Sequence, residues 1–297
     1  MNLDTLDTVP PLDSVYPVSG AACDAFTRDG HVALAGVLAP DELDACRTAV
    51  RRVVSANLGQ HHALEDDVAA AANNWQFVNN LWTQDVQARR LIHSPRLARI
   101  AATLLGVDRL RLLRDQSYFK GVGGAGTPWH QDGYFIPLDT PAILTAWIAL
   151  SDMSPESSPM TYATGSHKQG FQGLSPAGEP AMRAFERRLV GQGYDMTTYD
   201  ALKAGDVAFH AAWTLHATFA HSAPTPREAV VIVYFADGGR VVIDPPAGTP
   251  GAPYPQVAQV RANSRAISAP GLGHGDLADT AMTPLLYDRA SDRLPFP

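Results

Sequence analysis

Apolar residues recur at two different periods along the chain, and the change comes near residue 106. In "APDELDACRTAVRRVVSANL", Leu43, Cys46, Val50, Val53 and Val54 follow one another at helical spacing. Pro40 suits a first helical position, and Asp41 and Glu42 put acids in the first turn. "SPRLARIAATLLG" (94–106) repeats the design: Pro95 near the start, Leu97, Ile100, Leu104 and Leu105 on one side, Gly106 as a stop. Before both helices, Val32, Leu34, Gly36 and Leu38 form a short β-like alternation. Beyond Gly106 the segments shorten. "RLRLLRDQSYFK", "AILTAWIALSDM", "PMTYATGSH", "GDVAFHAAW" and "REAVVIVYFADG" are rich in β-branched and aromatic residues and bounded by Gly, Pro, Asp or Ser, which predicts strands. "EPAMRAFERRLV" (179–190) reads as a helical insert among them. Helices first and strands after predict a mainly β fold with packed helices, a β-barrel or jelly roll. The expected organisation is a helical layer over 20–106, a core over 107–245 and a Pro/Gly-rich tail over 246–297, suited to wrap the barrel or cover its mouth.

Composition narrows the partners. The 297 residues are 45% hydrophobic, enough for a sizeable core, and the net charge of -7 comes without any basic tract. Nucleic acid is therefore not an expected partner. Cys23 and Cys46 are too few for a disulfide framework and fit no zinc spacing, so they read as ordinary thiols in a reducing compartment. The N-terminus is acidic and proline-broken, unlike a signal peptide, and no stretch approaches 18 unbroken apolar residues. The expectation is a cytoplasmic protein with no membrane partner.

One stretch carries chemistry. "TPWHQDGYF" (127–135) places His130 and Asp132 two positions apart, and residues i and i+2 of a strand face one side. Two histidines and a carboxylate on one face of an octahedron make the usual non-haem Fe(II) arrangement. A lone His-x-Asp also occurs often by chance. A third ligand has candidates in His210, His216 and His221 of "GDVAFHAAWTLHATFAH". His31, His61, His62, His93 and His274 read as solvated or core histidines. Arg227 stands eleven residues after His216 and opens an apolar strand. Inside a barrel it is costly unless it binds an anion, for which its planar fork is well shaped; the alternative is a surface arginine at a turn.

Taken in order, these motifs resemble the phytanoyl-CoA dioxygenase family of Fe(II)/2-oxoglutarate oxygenases. "FTRDGHVALAGVLAPDEL" resembles its opening strand and helix, "DQSYFKGVGGAGTPWHQD" its run into His-x-Asp, and "MTYATGSHKQG" its Gly-Ser-His-Lys segment. "GDVAFHAAWTLHATFAH" followed by Arg227 resembles its distal histidine and co-substrate arginine, and "GDLADTAMTPLLY" its ending. The resemblance implies a double-stranded β-helix of cupin-like jelly-roll type, with residues 1–297 as a single oxygenase domain. It implies His130, Asp132 and His216 as iron ligands and Arg227 as partner of the distal carboxylate of 2-oxoglutarate. Thr218 would donate its hydroxyl to the same carboxylate, and Lys120, Trp147 and Gln116 would line the co-substrate pocket. His167 would order a turn, His210 would lie near the cavity without ligating, and His221 stands where many relatives carry Asn.

The implied reaction uses Fe(II), 2-oxoglutarate and O2 to hydroxylate a small molecule, such as a natural-product intermediate. Asp132 occupies the place that halogenating relatives leave vacant, which argues against halogenation. Desaturation, ring closure and epimerisation draw on the same chemistry. A non-oxidative cupin-type isomerase is the competing reading, and it has no need of Arg227 and Thr218. For the substrate, "NNWQFVNNLW" (73–82) reads either as a helix-to-loop segment with buried aromatics or as a lip offering Trp75, Phe77, Asn79 and Trp82, with Tyr134 and Phe135 opposite. No basic cluster is present to grip a CoA phosphate.

Overall fold

The alternation of the second half forms two antiparallel sheets. The computed structural model describes residues 8–57, 75–243 and 257–291. Its elements are α1 (Gly20–Asp29), β1 (His31–Leu34), α2 (Pro40–Ala56), β2 (Trp75–Asn79), α3 (Val86–Ile92), α4 (Pro95–Leu105), β3 (Arg109–Lys120), β4 (Thr127–His130), α5 (Asp132–Phe135), β5 (Ile143–Ala149), β6 (Met160–Ala163), α6 (Glu179–Gly191), β7 (Met196–Thr198), β8 (Val207–Ala211), β9 (His216–Thr218), β10 (Ala229–Ala236), α7 (Val257–Ser268) and β11 (Leu285–Asp288). The larger sheet runs β1-β8-β5-β10-β3-β11, with β2 also paired to β3, and the smaller runs β4-β9-β6-β7. The result is a cupin-like double-stranded β-helix with helices packed outside.

Each long strand sorts its side chains between two cores. On β10, Val230, Ile232 and Tyr234 join the helical layer, whereas Val231, Val233 and Phe235 face the smaller sheet. On β5, Leu144, Ala146 and Ile148 go outward, and Ile143, Trp147 and Ala149 inward. α4 seals the outer face with Leu97, Ile100 and Leu104, all buried, each contributing about 1.5–3 kcal/mol. Arg96 of α4 grips Glu42 of α2 through both carboxylate oxygens, at 2.6 and 2.7 Å. α6 covers the back of the smaller sheet with Met182 and Leu189 against Trp129 and Leu215.

β3 departs from plain alternation. Its register against β10 shifts between Val233 and Tyr234, so Leu113 is an extra residue. Such a bulge switches which residues face which side. Leu110 and Leu112 therefore pack on the helices before it. After it, Arg114, Gln116 and Tyr118 line the interior cavity. Two elements differ from the sequence reading. "WQFVN" is the strand β2 rather than the start of a helix-to-loop segment; Asn73 and Asn74 lie outside the described residues. The Pro/Gly-rich tail contains α7, which packs on α5 and β3.

Candidate active site

β4 and β9 are adjacent strands of the smaller sheet, with His130 directly opposite His216 and Thr127 opposite Thr218. Gln131 keeps an extended backbone (φ -126°, ψ 125°), so His130 and Asp132 project to the same side. Gln131 points the other way, donating to the carbonyls of Gly170 (2.8 Å) and Trp213 (2.6 Å) and accepting from the backbone N–H of Gln172 (2.8 Å). The strand ends there, and Asp132 opens the single turn α5. Gly133 is required at the next position: a Cβ there would lie 2.5 Å from the Trp213 indole.

One ligand atom from each of His130, Asp132 and His216 falls within a mutual separation of 4.8 Å. Asp132 Oδ1 lies 3.6 Å from His130 Nε2 and 3.7 Å from His216 Nε2. Both histidines turn their other nitrogen to a carbonyl, His130 Nδ1 to Pro128 (2.7 Å) and His216 Nδ1 to Thr214 (2.9 Å). A carbonyl only accepts, so each Nδ1 carries the proton and each Nε2 keeps a lone pair for a metal. Burial opposes the charge on Asp132, but the surrounding site, with His210 donating to Oδ2, outweighs it and holds the carboxyl well below its usual range. Burial, reinforced by His130 and His210, keeps the His216 imidazole neutral by pushing it well below the usual histidine range. Neutral imidazoles and an ionised carboxylate are the forms that bind a divalent cation.

Beside this cluster sit two buried cations. Arg227 enters β10 with its guanidinium 5.5 Å from the Trp147 ring and one donor on the Ser158 carbonyl (2.7 Å). The next residue, Glu228, faces the other way and is held by Arg47 and Arg51 of α2, both at 2.7 Å, which anchors the strand end that carries Arg227. Lys120 Nζ donates to Thr218 Oγ1 (2.7 Å) and Ser158 Oγ (3.0 Å) and lies 4.6 Å from the Trp75 ring. Burial pushes the Arg227 guanidinium down to about 10, and burial with the nearby Arg227 charge pushes Lys120 well below its ordinary value. Among the described residues neither cation has a carboxylate within ion-pair distance, and Arg227 Nε has no partner. Two desolvated cations without a counter-charge suit a bound anion.

A cavity partly open to solvent joins the two features. Thr127, Trp147, Met160, Val231 and Val233 line it between Arg227 and the His–Asp–His cluster. Thr218 lines it too, but its proton goes to Thr127 Oγ1 (3.0 Å) rather than into the cavity, and Lys120 stands behind it. Gln116 donates to Asn79 Oδ1 (2.7 Å), and Phe77 packs edge-on against Tyr118, so Asn79 and Phe77 back the β3 wall. Phe135 meets the His130 ring edge-on at 6.0 Å, and Tyr134 stacks on Phe171 at 4.9 Å. Trp82 packs in the helical layer, against His93 and under Arg89. Asn80, at φ 53°, turns the chain outward just before it.

Several residues at the site escaped the sequence reading. Thr145 donates to Asp132 Oδ2 (2.6 Å), and Tyr162 meets His210. Arg261 of α7 donates to the carbonyls of Gly133 (3.2 Å) and Tyr134 (3.3 Å), tying the tail to the turn that carries Asp132. Only the inward phase of β5 and β6 would have pointed to Thr145 and Tyr162. Nothing in the linear pattern marks Arg261. His167 bonds the Thr27 carbonyl (3.2 Å), and His221 the Thr225 carbonyl (2.9 Å).

A family model described as phytanoyl-CoA dioxygenase (PhyH) matches residues 26–229. The chain belongs to that family. As a member of the PhyH family it is a non-haem iron, 2-oxoglutarate-dependent dioxygenase, with iron and 2-oxoglutarate as cofactor and co-substrate. The ectoine dioxygenase of Bordetella parapertussis is 24% identical over 230 residues, covering 71% of this chain and 73% of that protein. That of Sphingopyxis alaskensis is 24% identical over 247 residues, covering 76% and 78%. Among solved structures, the α-ketoglutarate-dependent carbocyclase SnoK from nogalamycin biosynthesis aligns with a TM-score of 0.67 at 24% identity, over 90% of this chain and 96% of its own. The epimerase SnoN, in complex with Fe3+, α-ketoglutarate and nogalamycin RO, aligns at 0.64 and 26% identity, over 90% and 97%. The donor set fits iron: two imidazole nitrogens and one carboxylate oxygen, with an anion site alongside. Among the described residues no helix is long and apolar enough to cross a membrane.

Proposed function

We propose that His130, Asp132 and His216 hold iron(II) and that Arg227 pairs with the distal carboxylate of 2-oxoglutarate, so that a small, partly polar substrate is hydroxylated in the remaining cavity. The observation that carries this reading is one cavity containing both the three converging donors and the buried Arg227, which has no carboxylate partner among the described residues. Bound there, iron(II) with 2-oxoglutarate and O2 supplies oxidative decarboxylation to succinate and CO2 and the oxidising power to break a C–H bond. The protein's own residues do the rest. The carbonyls of Pro128 and Thr214 aim the two imidazoles. Trp147 supports the Arg227 guanidinium from one side, and Lys120 fixes Thr218 beside it. Met160, Val231 and Val233 make the wall apolar and limit water. Arg114, Gln116 and Tyr118 give the opposite wall its hydrogen-bonding groups, while Trp75, Phe77 and Asn79 back it and Phe135 closes the side near His130.

The cavity is shared with 2-oxoglutarate, which suits a modest molecule or one portion of a larger natural product as substrate. Relatives named as ectoine dioxygenases favour a compact polar substrate and plain hydroxylation. SnoN, an epimerase that spans 90% of the chain, favours a second outcome in which the substrate radical ends in epimerisation or ring closure. On this reading residues 1–297 form one oxygenase domain, with the 20–106 layer and the 246–297 tail packed on the 107–245 core. Two free thiols, Cys23 and Cys46, suit work in the cytoplasm. The test is O2-dependent succinate release with ectoine and with nogalamycin RO. Release that requires iron, 2-oxoglutarate and His216 supports the reading. No release with iron bound, even the slow uncoupled turnover without substrate, would count against it.

A further inference from the structure

The two oxygens of Asp132 have different surroundings. Oδ1 faces His130 Nε2 and His216 Nε2, at 3.6 and 3.7 Å. Oδ2 faces away from them and receives Thr145 Oγ1 at 2.6 Å and His210 Nε2 at 3.1 Å. An ionised carboxylate only accepts, so Thr145 and His210 both donate. The proton on His210 is therefore on Nε2, which leaves Nδ1 to accept from the Tyr162 hydroxyl at 3.2 Å. Tyr162 is in turn fixed. It sits opposite His216 across β6 and β9, and its ring stacks on His31 at 4.6 Å. His31 is held by the Tyr199 hydroxyl (2.7 Å) and Thr164 Oγ1 (3.1 Å). Thr145, Tyr162 and His210 are all buried.

His210 lies close to the site, its ring centroid 4.3 Å from that of His216, yet it is not among the three converging donors. Its hydrogen bonds agree, because its Nε2 carries a proton and spends it on Asp132. A carboxylate can bind a cation through one oxygen or both. With Oδ2 free to turn, Asp132 would chelate and take a coordination position that the reaction needs.

We infer that Thr145, His210 and Tyr162 are positioning residues that restrict Asp132 to one-oxygen ligation and keep three metal positions open. The inference rests on the iron assignment proposed above. Outer partners of metal ligands typically change affinity by about 10–100-fold when removed.

Cobalt(II) serves as the probe, because its visible spectrum reports coordination number and no turnover is involved. Wild type, His210→Leu, His210→Gln, Tyr162→Phe, Thr145→Val and Asp132→Ala are titrated as metal-free proteins, with thermal unfolding of each to confirm folding. His210→Leu is expected to bind cobalt about 10–100-fold more weakly with an altered spectrum. His210→Gln, whose side-chain amide still reaches Oδ2, should recover most of both. Tyr162→Phe and Thr145→Val should shift in the same direction by less, and they carry the test if His210→Leu does not fold. Wild-type affinity and spectrum in His210→Leu, or in both Tyr162→Phe and Thr145→Val, would overturn the inference. Failure of the wild type to bind one cobalt, or binding undiminished by Asp132→Ala, would instead bring down the iron assignment itself.

Discussion

Replacing Arg227 by Met should make the metal-free protein more stable and nearly blind to 2-oxoglutarate. The two effects have one cause. Arg227 is buried, has no carboxylate partner among the described residues, and lies near the second buried cation Lys120. Burial lowers the guanidinium from 12.5 to about 10, a penalty on the charged form of roughly 3 kcal/mol. Because the folded value lies below the unfolded one, the penalty applies in full at neutral pH and fades only as pH rises toward the unfolded value. Methionine removes it but forfeits the cation–π contact with Trp147, about 1 kcal/mol, and the hydrogen bond to the Ser158 carbonyl, also about 1 kcal/mol. The net expectation is a gain of ~1 kcal/mol, or about 2–4 °C in Tm. Binding moves the other way. Losing one partner of a buried charged pair costs about 2–5 kcal/mol, which is roughly 30-fold to several thousand-fold in Kd. Scanning calorimetry of the metal-free proteins and anaerobic titration of the iron-loaded proteins with 2-oxoglutarate measure the two effects. An Arg227→Met protein that is less stable by several kcal/mol yet binds 2-oxoglutarate normally would show that the arginine is structural.

Gly133→Ala should cost about 1–3 kcal/mol in stability and weaken metal binding, since the new methyl meets the Trp213 ring at 2.5 Å and must push the turn that carries Asp132; calorimetry and cobalt titration together check this, and an unchanged metal affinity would detach the turn from the site. Arg96→Met should cost about 3–5 kcal/mol by leaving Glu42 without its buried partner, read from urea unfolding midpoints. The hydrogen bond from Arg96 holds the Glu42 carboxyl below its usual 4.5, so this pair's contribution is complete above that value and is lost as pH falls through the lower folded one. The wild type should therefore lose its advantage over Arg96→Met in acid, and an equal difference at neutral and strongly acid pH would contradict that. Phe135→Val should alter the product ratio or substrate range while leaving cobalt affinity near wild type, because the ring meets His130 only edge-on.

Strands long enough to show a period were legible: β3, β5 and β10 all lie within segments the alternation marked out. β9 has three residues and β4 has four, one of them Pro128, so neither is long enough to show a pattern. The bulge at Leu113 is invisible in the alternation, yet it decides that Arg114, Gln116 and Tyr118 face the cavity rather than the helices. At the site, the His130–Asp132 spacing could be read directly, because an extended Gln131 puts both on one side. The choice among His210, His216 and His221 could not be read from residue types, since all three are buried. It came from resemblance to a family, and the physical distinction lies in which nitrogen each ring offers and to whom. Trp82 lies beyond a left-handed Asn80, which ends the extended run of Trp75 and Phe77, so the strand pattern says nothing of where it packs.

Anomalous X-ray scattering at the iron edge, from crystals loaded anaerobically with Fe(II) and 2-oxoglutarate, tests the central claim most directly. The account predicts one strong peak bonded to His130 Nε2, Asp132 Oδ1 and His216 Nε2, with the distal carboxylate of 2-oxoglutarate against Arg227. A peak elsewhere, or one bonded to His210 in place of any of the three, would contradict it.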